Sequence, residues 1–286
     1  MLRPRYPSFR SVLEHHRAVR VAGAHEAIGG VLAQEAGFQA VWSSSFEISA
    51  ARCLPDASVL TMTEYLEAAA NIQKALRIPV VADCDSGYGN SLNIAHMVHE
   101  YEGAGITAVC VEDKLYPKMN SFAGGEQALL PTPDFSRKLE VAKAAQRTDD
   151  FFLIARTEAL ISGLGVDEAL RRCAAYADAG CDAVLVHSKA PTRDEVTAFL
   201  DRWEGRCPVV LVPTTYPDWQ FDDVVKAGAS VVIYANQGLR ATVSSLRDTF
   251  RTLLERGEST PLESRIASVA DIFALQQLAA WQALEA

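Results

Sequence analysis

Asp83 and Asp85 stand two residues apart at the end of one apolar run of the chain, and Glu112 closes the next. Side chains two apart on an extended segment face the same way, so the three carboxylates are expected to converge. Unpaired and partly buried, they would repel one another. A hard divalent cation, held directly by one or two of them and through water by the rest, relieves that repulsion. Magnesium is the expected ion, with manganese or cobalt as substitutes. The ordinary alternative is a solvated acidic rim, or an ion pair with a nearby lysine. Arg156 and His187 end the two apolar runs that follow, with Glu158 just beyond the first. Both suit an anionic, carbonyl-bearing ligand, since the guanidinium offers a planar fork and the imidazole a single donor. Trp42, Ser43 and Ser44 end the second run, whereas His15, His16, His25, His96 and His99 have no comparable setting.

Such residues need a frame. Runs rich in Val, Ile and Ala recur at 19–24, 40–44, 79–83, 108–112, 152–156, 183–187, 209–213 and 231–235. Segments of helical period lie between most of them, at 63–76, 93–102, 134–145, 166–179 and 193–203. Continuous apolar strands alternating with helices predict parallel strands covered on both faces, and eight such units predict an α/β fold closed as a (β/α)8 barrel. The barrel is expected over about residues 17–256 of a single domain, 1–286. An open doubly wound sheet is the competing architecture, but no GxGxxG follows the first strand. Reactive groups of such barrels lie at the C-terminal strand ends, where the carboxylates, Arg156 and His187 all fall. The glycines in Glu35-Ala-Gly-Phe, Glu102-Gly-Ala-Gly and Asp178-Ala-Gly-Cys read as helix C-caps.

Two connections, 45–61 and 114–133, are long, and long loops in compact domains tend to carry function. Residues 262–286 read as a further helical arm. Its apolar positions, among them Ile266, Val269, Phe273 and Leu278, must be buried somewhere, and a neighbouring subunit is one candidate.

The chain has 286 residues, 49% of them hydrophobic and 22% charged, which rules out a disordered chain. A net charge of -9 argues against a nucleic-acid surface. The opening MLRPRYPSFR has basic residues without a following apolar stretch, and no run approaches the roughly 20 apolar residues of a membrane span. The six cysteines form no CxxC pair, as expected in a reducing compartment. These features predict a cytoplasmic protein.

The most specific stretch is Glu112-Asp-Lys-Leu-Tyr-Pro-Lys-Met-Asn-Ser-Phe. It resembles the signature loop of the phosphoenolpyruvate mutase and isocitrate lyase superfamily. The resemblance extends over nearly the whole chain, through Trp42-Ser-Ser, Asp83-x-Asp85-x-Gly87-Tyr-Gly, Arg156-x-Glu158 and His187-Ser-Lys. It implies a magnesium-dependent, helix-swapped barrel that acts on 2-oxo or enol acids beneath a closing loop, assembled as a dimer of helix-swapped dimers. Carbon-carbon lyases of the superfamily carry Lys-x-Cys-Gly-His in that loop. Lys118-Met-Asn120-Ser121-Phe122 stands here instead and looks like the carbon-phosphorus branch, whose members act on phosphonopyruvate.

The resemblance further implies that Asp83, Asp85 and Glu112 serve the metal, and that Asp56 accepts a phosphoryl group or orients a water; the plainer role for Asp56 is capping the turn after Pro55. Lys118 and Asn120 would handle the phosphoryl group. Trp42, Ser44, Ser45, Phe46, Ser121, Arg156 and His187 would bind substrate, although Ser45 and Phe46 stand where mutases more often have Gly and Leu. The adjacent glycines of the stretch 122–131 suggest a lid that differs in closure or hydration from that of the mutases. The expected reaction is therefore hydrolysis of phosphonopyruvate to pyruvate and phosphate, with mutation to phosphoenolpyruvate as the alternative.

Overall fold

A computed structural model describes residues 6–125 and 127–285, so Glu126, inside the stretch that favours hydrolysis, lies outside the described residues. The chain opens with helix α1 (Phe9–His15) and strand β1 (Val19–Ala24). It continues through α2 (Ala27–Glu35), β2 (Ala40–Ser43), α3 (Ser45–Ala51), α4 (Met62–Ala75), β3 (Val80–Asp83), α5 (Ser91–Gly103), β4 (Ala108–Glu112) and α6 (Thr132–Ala145). Then come β5 (Phe152–Thr157), α7 (Gly165–Asp178), β6 (Ala183–Val186), α8 (Asp194–Leu200), β7 (Val209–Leu211), α9 (Phe221–Lys226) and β8 (Val231–Tyr234). The strands follow one another in parallel, and β8 pairs with β1 to close the barrel. The predicted barrel architecture is what the structure shows.

Residue parity builds two apolar layers. Trp42, Cys110, Ile154 and Leu185 point into the barrel, while their preceding neighbours Val41, Val109, Leu153 and Val184 point out beneath the helices. Both faces being buried is why these strands read as continuous apolar runs. Phe9 of α1 is fully buried and meets Phe152, the first residue of β5, edge-on at 5.3 Å. That contact seals the N-terminal end of the barrel, and chemistry is left to the other end. Gly37, Gly105 and Gly180 follow α2, α5 and α7 with φ of 91°, 88° and 92°, the left-handed conformation that stops a helix before the next strand.

The connection 45–61 is not all loop. Ser44 leaves the strand and caps α3, its hydroxyl accepting the Glu47 N–H. A second compact unit begins at Gln237, so α10 (Gln237–Arg256) groups with α11 (Val269–Leu275) and α12 (Leu278–Gln282). The predicted arm is thus two short helices, separated at Gln277, whose φ is 56°. No residue of α10 is buried, and its Leu246, Phe250 and Leu254 are exposed. Among the described residues no helix is long and apolar enough to cross a membrane.

Candidate active site

Asp83 ends β3 opposite Cys110, so the residue facing Glu112 is Asp85, whose carbonyl accepts the Glu112 N–H at 2.8 Å. Asp85 itself has left the strand: its φ is 49°, and the chain turns so that the Gly87 N–H reaches the Cys84 carbonyl at 2.8 Å. The carboxylates therefore converge through a turn rather than through continued strand geometry. Asp83 accepts the Ser45 hydroxyl at 2.9 Å and the Asp85 N–H at 3.4 Å. Burial raises all three above the ordinary carboxylate range, Asp85 to about 6 and Glu112 to about 7, against the pull of Lys118 on Asp85 and of Arg156 on Glu112 and Asp83.

Over this cluster lies the segment 114–125, and an antiparallel bridge between Lys114 and Leu129 ties its base. The Lys118 ammonium sits 2.5 Å from Asp56 Oδ1 and 3.1 Å from Asp85 Oδ1. Asn120 donates from Nδ2 to Asp56 Oδ2 at 2.7 Å and from its main chain to the Asp56 carbonyl at 3.0 Å. The Lys118 N–H adds a bond to Ser58 at 2.9 Å. Both carboxylate oxygens of Asp56 thus go to the lid, which sets aside a turn-capping role, and the residue is only 8% exposed. Burial would lower the proton affinity of Lys118, but Asp85, Glu112, Asp56 and Asp83 outweigh it and hold the ammonium charged.

Arg156 anchors the next sector. Its Nε lies 2.6 Å from Glu158 and 3.3 Å from Glu112, and its far nitrogen donates to Ser121 at 3.0 Å. Ser121 also accepts from Lys114 at 2.9 Å and donates to Glu158 at 2.5 Å. Burial works against ionisation of Glu158, yet Arg156 and Lys114 prevail and bring it down to about 2. His187 is driven down to about 3, first by burial and then by Arg156, so it is a neutral imidazole. Its Nδ1 has no hydrogen-bond partner, and Phe122 of the lid meets the ring edge-on at 5.4 Å.

The residues after β2 divide. Ser45 reaches the carboxylates, Ser44 is spent on capping α3, the Trp42 ring belongs to the barrel interior, and Phe46 is 38% exposed. Two further lysines, Lys114 and Lys138, support this site. Lys114 stands inside the signature loop and was legible there; Lys138 sits in α6 with no motif around it, and no local pattern marks it.

Two oxygens of this donor set are orphaned. Asp85 Oδ1 and Glu112 Oε1 are buried without a hydrogen-bond partner, the Lys118 contact to Asp85 being an ion pair outside hydrogen-bond geometry. Lys118 supplies charge beside Asp85 Oδ1 but no hydrogen bond, and Glu112 Oε1 has no partner, so both oxygens keep free lone pairs; an all-oxygen set of this kind suits magnesium. Among the described residues no three His, Cys, Asp or Glu side chains pack closely enough to seize an ion by themselves.

Residues 9–254 match the family model described as phosphoenolpyruvate phosphomutase. The chain belongs to the phosphoenolpyruvate phosphomutase family. Within that family it is 40% identical over 281 residues to the phosphonopyruvate hydrolase of Variovorax sp. (strain Pal2), covering 98% of this chain and 97% of the relative. The crystal structure of a phosphoenolpyruvate phosphomutase from Streptomyces platensis subsp. rosaceus superposes with a TM-score of 0.95 at 50% identity, covering 96% of each chain. A phosphonopyruvate hydrolase crystallised with oxalate and Mg2+ gives 0.91 at 39% identity, again over 96% of each. The chain is thus an enzyme of the phosphoenolpyruvate phosphomutase family, similar to members with two different outcomes.

Proposed function

We propose that this enzyme breaks the carbon–phosphorus bond of phosphonopyruvate and returns the phosphoryl group to the enolate oxygen, interconverting phosphonopyruvate and phosphoenolpyruvate. The observation that carries this reading is the clamp on Asp56, a buried carboxylate whose two oxygens are held by Lys118 and Asn120 of the lid. An acceptor enclosed in this way favours return of the group over its loss to water. The 50% identity to the Streptomyces platensis phosphomutase points the same way.

Asp85, with Asp83 and Glu112 through water, would hold the magnesium ion. A bound ion would offset the charge of carboxylates and substrate and draw electron density from the ligand oxygens. Arg156 and His187 would hold the oxo-acid end, with Ser45 and Phe46 beside them. Asp56 attacks phosphorus in line; the electron pair of the broken bond remains on carbon as pyruvate enolate, and an aspartyl phosphate forms. The enolate oxygen then takes the phosphoryl group, and Asp56 is regenerated. Lys118, Asn120 and Ser121 offset the charge of the transferring group.

Hydrolysis, the outcome expected from the sequence, is the second reading. It is supported by the end-to-end likeness to the Variovorax hydrolase, and by Gly124 and Gly125, which stand in open space on the lid. Water would then take the phosphoryl group. Phosphorus NMR of the enzyme with phosphonopyruvate and magnesium separates the two. A phosphoenolpyruvate signal supports mutation, inorganic phosphate supports hydrolysis, and unchanged substrate sinks both. Asp56→Ala should lower turnover at least about a thousandfold with unchanged circular dichroism; near-normal turnover would remove Asp56 from either route.

A further inference from the structure

Lys138 lies in α6 at 5% exposure, and among the described residues its ammonium makes no ion pair. Its partners are two main-chain carbonyls, Ser86 at 2.5 Å and Gly89 at 2.9 Å. Burial pulls its pKa down to about 8. A methionine would fill the same space without the cost of desolvating a charge, so the charge must be explained by what it holds.

What it holds is the turn that carries Asp85. Asp85, Gly87, Tyr88 and Gly89 all have positive φ, at 49°, 79°, 59° and 142°. A backbone of that shape joins no strand ladder and persists only when its surroundings over-determine it. The Glu112 N–H fixes the Asp85 carbonyl on one side. The Ser86 hydroxyl is buried with no partner and holds nothing. Lys138 binds the two carbonyls that flank the rest of the turn.

We propose that Lys138 is a positioning residue that fixes the Asp85 turn and so sets the affinity of the carboxylate cluster for its divalent cation. It touches neither substrate nor reacting atoms, and the inference rests on the cation reading above.

The test is Mn2+ binding to the full chain without substrate, followed by the electron paramagnetic resonance signal of the free ion. Lys138→Met should weaken binding about 10- to 100-fold, the range for partners that orient metal ligands, and Lys138→Gln, which keeps a donor, should fall between. Half-activation by Mg2+ should shift in step, while KM for substrate at saturating Mg2+ stays within about twofold. Wild-type Mn2+ affinity in a folded Lys138→Met protein would overturn the inference, and if that variant fails to fold, Lys138→Gln decides by the same measurement. Absence of Mn2+ binding to the wild-type chain would instead overturn the cation reading, and this inference with it.

Discussion

Protons and a cation compete for the same oxygens at Asp85 and Glu112. With these groups at about 6 and about 7, Mn2+ affinity should weaken as pH falls, by about tenfold per unit between pH 7 and 6 and by up to about a hundredfold per unit below 6, where both groups take a proton. Glu112→Gln should move this acid limb toward 6. His187, neutral from about 3 upward, should add no limb of its own. A limb that stays in place in Glu112→Gln would assign it elsewhere; the check is Mn2+ titration between pH 5 and 8. The sign also bears on folding. Both groups have folded values above their unfolded ones, so the stability they contribute at low pH is lost as pH rises from about 4 to about 7 in the metal-free protein. At this scale the charged strand ends could be read from residue type and spacing, because a strand end in a barrel has a known direction. The partners of Asp56 could not, since Lys118 and Asn120 reach it across a fold contact that no local pattern encodes.

Strands β1 and β4 begin and end where the apolar runs do, and β2, β6 and β8 stop one residue earlier than their runs. At β2 and β6 the reason is local: Ser44 turns away to cap α3, and His187 lies just past the last residue of the β6 ladder. Helix α3 was hidden because its sequence, SFEISAA, is short and its stabilising cap belongs to the preceding strand run. Elements here are also cross-tied by polar groups. Asp113, just past β4, accepts from Arg172 at 3.0 Å and Tyr176 at 2.7 Å, both on α7, from Thr157 of β5 at 3.0 Å, and from the Glu158 N–H at 2.9 Å. Arg172→Met removes the only cation paired with that fully buried carboxylate among the described residues. It should cost about 3–5 kcal/mol in urea unfolding; a loss below about 0.5 kcal/mol would show that the hydroxyl and amide donors suffice.

The whole molecule contains a helix with no buried residue, α10, carrying apolar side chains on an amphipathic face. We propose that a second copy of the chain covers it, giving the dimer of helix-swapped dimers that the family resemblance implies. Light scattering should then report a tetramer, and Phe250→Glu on that face should shift it to smaller species with the barrel still folded. A wild-type monomer would contradict this.

The clamp on Asp56 has a kinetic consequence. The lysine and asparagine that hold the proposed acceptor, Asp56, also tie their own segment down over the site. Under the proposed mechanism, admission of substrate and competence for reaction become mutually exclusive conditions of a single gate, and turnover should not outpace the breaking of those contacts. On that mechanism an interlock of this kind would protect a reactive phosphoryl group at the expense of speed, and would place the ceiling on rate at product escape rather than at bond cleavage.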